Sequence, residues 1–236
     1  MSTMPSPEFF VLRNTLLAVF ALAVSANTAS AQYSLLTARA QVGGTGFINW
    51  LNLGSENTIV SNPVGVGVNN SALTATVSQA GETFFERRDQ GTSWAGNFAT
   101  GDKVLWTRDG GPMTIMFDSN ISAAGANFMS NFYGEFVGRI SALDVSGNVL
   151  AFFDFSGNSS GDRDGSAVFA GIRSTSGNIR GVRFAGVSAS NSPNDFAINS
   201  VSVNDATTTV PEPGTYALMA SGLLAMAVIR RKARAA

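Results

Sequence analysis

From Gln32 to Asp205 the apolar residues come in short runs cut by Gly, Asn, Ser and Asp, and no apolar stripe of helical period extends for a useful length. That pattern predicts strands separated by turns. Met113-Thr114-Ile115-Met116-Phe117 alternates after Pro112. Phe136, Ile140 and Leu143 mark a second run, which ends at the turn signal Ser146-Gly147-Asn148. Val149 to Phe155 forms a third, so these two runs predict a hairpin. Ser166 to Ile172, Ile179 to Val187 and Phe196 to Val203 supply three more, divided by Ser176-Gly177-Asn178 and Ser190-Asn191-Ser192-Pro193-Asn194. Phe196 and Ile198 share one parity while Val201 and Val203 share the other, which predicts a β-bulge at Asn199-Ser200.

The first half is less regular. Val42 to Gly46, Pro63 to Val68 and Leu73 to Val77 read as strands and loops punctuated by glycine. No internal repeat is visible. The fold class expected is therefore all-β, a single β-sandwich over residues 32–205, with residues 206–209 as a short linker.

The two ends differ in kind from this middle. Arg13 precedes the apolar run Leu16 to Val24, and Ala29-Ser30-Ala31 offers small residues where a signal peptidase reads them. Residues 1–31 are thus expected to be a signal helix cleaved after Ala31. At the other end, prolines 211 and 213 fix two φ angles and remove two backbone donors, so Val210-Pro211-Glu212-Pro213 should be extended and available to a protease cleft. Tyr216 to Ile229 is uncharged and is followed by Arg230, Arg231, Lys232 and Arg234. As a helix this run reaches roughly 21 Å, short of a bilayer core of about 30 Å. Extending it over about 214–230 and letting the arginines snorkel makes a transmembrane helix, with the basic cluster on the cytoplasmic side. A buried C-terminal core helix is the alternative, although core helices seldom close on four cations.

Taken together, Val210-Pro211-Glu212-Pro213, the continuation Gly214-Thr215-Tyr216-Ala217-Leu218, the apolar run and the arginines resemble the PEP-CTERM sorting signal of Gram-negative bacteria. The resemblance implies processing near the Pro-Glu-Pro motif by an exosortase, a membrane-embedded transpeptidase-like cysteine protease. It also implies an intermediate anchored in the inner membrane, then residence at the cell surface or outside it. Proteins of this type are often linked to extracellular polysaccharide and biofilm matrix. The stretch from Phe128 to Val203, especially Asn194-Asp195-Phe196-Ala197-Ile198, is similar to the jelly-roll ectodomains found ahead of such tails, which makes the expected sandwich jelly-roll-like.

Charge and composition then narrow the chemistry. Residues 32–210 hold ten Lys or Arg against fourteen Asp or Glu, a mildly acidic balance without a basic cluster, so nucleic acid is not expected as a partner. The chain has no cysteine, so no disulfide can staple it, and no histidine. Ser-His-Asp triads, Cys-His pairs and the common zinc sites all need residues that are missing. No catalytic residue is assigned and no cofactor is expected. A non-enzymatic structural or carbohydrate-binding role is the leading reading.

Three features retain candidate chemistry. Glu82 and Glu86 lie four apart and in a strand would share a face, which keeps a carboxylate-based polysaccharide hydrolase or lyase as the alternative. Asp162-Arg163-Asp164-Gly165 could place two carboxylates around calcium, although the twelfth-position glutamate of an EF-hand loop is absent and a plain polar turn is the preferred reading. Trp50, Trp94, Trp106 and Tyr133 could stack on sugar rings, but aromatics in a sandwich more often serve the core. Trp94 is the candidate carbohydrate contact, because Gly91-Thr92-Ser93 and Ala95-Gly96-Asn97 around it read as an exposed loop.

Overall fold

The computed structural model describes residues 32–44, 46–189 and 192–206. The signal segment with Ala29 and Ala31, the motif Val210, Pro211, Glu212 and Pro213, the helix about 214–230 and the cluster Arg230, Arg231, Lys232 and Arg234 lie outside the described residues.

The described residues are all-β, with fourteen strands and two short 3-10 turns, Arg39–Val42 and Trp50–Leu53. The strands are β1 (Tyr33–Leu36), β2 (Gly46–Ile48), β3 (Thr58–Ser61), β4 (Val64–Gly67), β5 (Thr74–Gln79), β6 (Phe84–Asp89) and β7 (Lys103–Trp106). They continue with β8 (Met113–Ser130), β9 (Gly134–Leu143), β10 (Val149–Ser159), β11 (Val168–Ser174), β12 (Ile179–Ser188), β13 (Phe196–Ile198) and β14 (Val201–Asp205).

The long strand β8 organises the two layers. Its first half pairs with β5 and β12, and its second half with β11, β13 and β14. Between the halves the register against β12 jumps, from Gly181↔Met116 to Ile179↔Ile121. The exposed residues Asp118, Ser119 and Asn120 occupy that corner. One layer therefore runs β4-β5-β8-β12-β9-β10. The other is built on β1-β11-β8, with β14-β2 and β13-β7-β6-β3 attached to the same half of β8. A sequence reading that stops at Phe117 misses this, because three polar residues look like a turn when they are a bend in one continuous strand.

The inner faces of both layers meet in one apolar core that includes Val77, Phe85, Ile115, Phe128, Ile140, Phe184 and Val203. Phe128 stacks on Phe196 at 4.5 Å and meets Phe155 edge-on at 5.3 Å. Such pairs contribute about 0.5–1.5 kcal/mol each beyond burial. With no disulfide available, this packing carries the stability. Two glycines make room for it. Gly138 lies opposite Phe155 and Gly157 opposite Phe136 across the β9–β10 pair, each with its partner's ring lying over it.

The predicted bulge is present. Ile198 pairs with Phe128, but Ser202 pairs with Gly125, so one extra residue is accommodated at Asn199-Ser200. Without it Val201 and Val203 would turn outward. With it Phe196, Ile198, Val201 and Val203 are all fully buried. Arg39 secures the bulge from outside. Its guanidinium donates to Ser200 O at 2.9 Å, Ser202 Oγ at 2.7 Å, Asn127 Oδ1 at 2.8 Å and Asn199 Oδ1 at 2.9 Å. Burial holds the pKa of Arg39 below its ordinary value, opposed by the negative charge of Asp102.

The loop from Gln90 to Gly101 covers the outer face of the second layer. There Trp94 and Phe98 pack with Val104, Met129, Ala167 and Ala197 in a small core of their own.

Candidate functional site

A depression of about 390 Å³ opens where this covering loop meets the β8–β9 turn, lined by Arg88, Ser93, Trp94, Ala95, Trp106, Asn131, Phe132 and Tyr133. Three pieces of chain build it. β6 and β7 place Arg88 and Trp106 on one wall, the loop supplies Trp94, and the turn after β8 brings Asn131 and Tyr133.

Trp106 sits at the back. Its indole Nε1 donates to the Asp195 carboxylate, whose second oxygen accepts from Asn131 Nδ2 at 2.8 Å. Asp195 is itself buried, so its side-chain oxygens depend on these protein donors for hydrogen bonds. The Arg88 guanidinium lies over the Trp106 ring at 5.0 Å, and that of Arg108 at 5.4 Å. Both cations share one carboxylate: Glu86 meets Arg88 at 2.6 Å and Arg108 at 2.9 Å. Arg88 also donates to the Ser93 carbonyl, tying the loop to β6. Arg108 and Asp109 both have positive φ, and this tight backbone turn returns the Arg108 guanidinium over β6 and β7.

The candidate aromatic residues divide by exposure. Trp50 is fully buried and donates to the carbonyls of Ile198 and Asn199. Trp94, expected in an exposed loop, is in the loop but only 5% exposed. It packs edge-on against Trp106 at 5.7 Å, which removes the freedom an exposed loop Trp would have. Small flanking residues are the reason for the misreading. Gly96 lets the chain pass so close that a Cβ there would strike Trp94 Nε1 and the Met129 sulfur. Tyr133 is the open ring, 53% exposed at the rim, with its hydroxyl donating to the Ala95 carbonyl at 3.0 Å.

The other candidates are not brought into this cleft. Glu82 lies ahead of β6, so it does not share a strand face with Glu86, and Glu86 is buried between its two arginines. Asp162 accepts from the Ser160 hydroxyl, and Asp164 from both the amide and hydroxyl of Ser166. These bonds depress the Asp164 pKa, chiefly the one from the Ser166 hydroxyl. Among the described residues no group of three or more acidic side chains is arranged to hold a metal.

Sequence reasoning did not single out Asp195, Asn131 or Arg88 for the cleft. Asp195 lies within Asn194 to Ile198, the segment that resembles jelly-roll ectodomains, and nothing local shows that it meets Trp106.

Comparisons with known proteins add to this geometry. No curated protein matches the chain. Among solved structures, a DUF4465 family protein from Bacteroides caccae is similar with a TM-score of 0.41 and 12% identity, covering 72% of this chain and 100% of that one. The enzymatically active domain of bacteriophage CBA120 tailspike protein 4 is similar with a TM-score of 0.22 and 12% identity, covering 66% of this chain and 20% of that one. Likenesses this distant carry no functional weight. The family model for the PEP-CTERM protein-sorting motif matches residues 209–232, and it marks the chain as an exported protein handled by exosortase-type membrane machinery.

Proposed function

We propose that residues 32–205 form a non-enzymatic module which the sorting tail delivers to the cell surface or beyond, and which binds extracellular polysaccharide through the cleft around Trp106 and Tyr133. One observation supports this above the others. The cleft sets a half-exposed ring, Tyr133, beside polar side chains held by fixed partners: Asn131, bonded to the buried Asp195 behind Trp106, and Arg88, bonded to Glu86 and the Ser93 carbonyl. Sugar recognition asks for an apolar ring face beside oriented hydrogen-bonding groups in a shallow site. The arrangement does not suit carboxylate catalysis, since Glu86 is buried and held in ion pairs by Arg88 and Arg108.

The test is affinity electrophoresis or a glycan array with the full chain, comparing Tyr133→Ala with the unaltered protein. Loss of retention by the variant, with an unchanged melting curve, is the expected result. Equal retention, or release of reducing ends from the polysaccharide, would remove the reading. For the sorting step, mass spectrometry of the protein recovered outside the cell should find a C-terminus near Pro211-Glu212-Pro213. Recovery of peptides extending to Ala236 would oppose it.

A further inference from the structure

Five strands among the described residues have a single partner, and four of them are very short. β1, β3 and β4 have four residues each and β2 has three. Short edges are a common protection, because they offer a neighbour too few free amides and carbonyls to build on. β10 breaks the rule: it has eleven residues, Val149 to Ser159, and pairs only with β9.

Its side chains do nothing to repel a neighbour. The segment contains no proline, lysine or arginine. Its one ionisable group, Asp154, is neutralised in a two-pronged pair with Arg139 on β9, at 2.6 and 2.9 Å. Apolar side chains collect along the same edge. Val149 is 49% exposed and Phe152 52%, and Leu150 and the hairpin residue Val145 extend the patch. The Arg139 guanidinium lies over the Phe152 ring, 4.1 Å from its centre, and the ring still remains half exposed. An open row of backbone donors and acceptors needs a strand, and apolar side chains without net charge need a like surface.

We infer that β10 is a self-association edge, pairing antiparallel with β10 of a second copy of this chain so that the first layer continues across a two-fold axis. A two-fold axis sets the same patch against itself, so Leu150 to Phe153 meets its own copy and Asp154 arrives already paired. The contact lies on a different layer from the Trp106 cleft, and it holds whether or not that cleft takes a sugar.

The experiment is sedimentation velocity on the full chain in detergent, with micelles in large excess over protein. The unaltered chain should show a concentration-dependent dimer. Leu150→Lys combined with Phe152→Lys, placing cations on the edge, should weaken that dimer by roughly tenfold or more. If the lysines lower the melting temperature, Phe152→Thr replaces them, since it keeps strand propensity and removes the ring. A strictly monomeric unaltered chain overturns the inference. So does a dimer that survives these substitutions in folded protein, because association through the tail would be indifferent to them.

Discussion

The indole nitrogen of Trp106 donates to the carboxylate of Asp195, joining β7 to the segment that leads into β13 across 89 residues of sequence. This bond sets the orientation of the cleft's back wall, and Asn131 completes the carboxylate's coordination. Asp195→Ala would leave two donors, on the half-buried residues Trp106 and Asn131, without their acceptor. A loss of about 1–3 kcal/mol is expected for each stranded group. Urea unfolding followed by tryptophan fluorescence measures it, and Asp195→Asn, which retains one acceptor, should lose less.

Trp94→Ala separates packing from binding. The ring fills the small core beneath the covering loop, and truncating a buried Trp typically costs about 3–5 kcal/mol. A large drop in melting temperature is therefore expected. A variant that melted normally and lost only polysaccharide retention would restore Trp94 to the role of a surface contact.

Gly138→Ala tests the ring-over-glycine arrangement. A Cβ at this position would come within 2.5 Å of the Phe155 ring, and Phe155 is itself wedged against Phe128. Forcing a methyl into such a contact costs about 1–3 kcal/mol. Double substitution with Phe155→Leu should recover part of the loss, and additive losses would show that the two positions are not coupled.

Acid should weaken the β9–β10 turn. Asp144 accepts from the amides of Ser146 and Asn148 and from the Asn148 side chain, and the last of these is the largest influence lowering its pKa. Asp118, Asp154 and Asp164 are depressed in the same direction by their own hydrogen-bond partners. A carboxylate with a lowered folded pKa stabilises the fold above its unfolded value and loses that contribution as pH falls through the folded one. The melting temperature is thus expected to be level from neutral pH down to about 4 and to fall below it. A carboxyl titration by NMR that places Asp144 above the ordinary carboxylate value would contradict this.

Calcium is expected to leave the protein unchanged. Asp162 and Asp164 are engaged by neighbouring serines in a local turn closed by Gly165 at positive φ. Melting with and without a chelator measures this, and a clear drop on chelation would make the turn a metal site.

Comparing the two halves of the chain shows where sequence pattern fails. Strands such as β9, β10 and β12 were legible because one face of each meets a large apolar core, so alternation survives. β6 was not, since Glu86 and Arg87 are both buried and are tolerated only through ion pairs with Arg88, Arg108 and Asp89. Burial of a charge is decided by partners distant in sequence, which no local period can register.

Sequence alone determined the strand-rich middle, the parity change that demands a bulge at Asn199-Ser200, and the sorting motif at residues 209–232. Each of these is written in neighbouring residues, as a period, a register or a contiguous signal. Only the tertiary structure decided that β8 bends from one layer into the other, that Trp94 is interior while Tyr133 is open, and that β10 is the one long strand with a single partner among the described residues. Those outcomes depend on which surfaces fold against each other, and that is a property of the assembled chain.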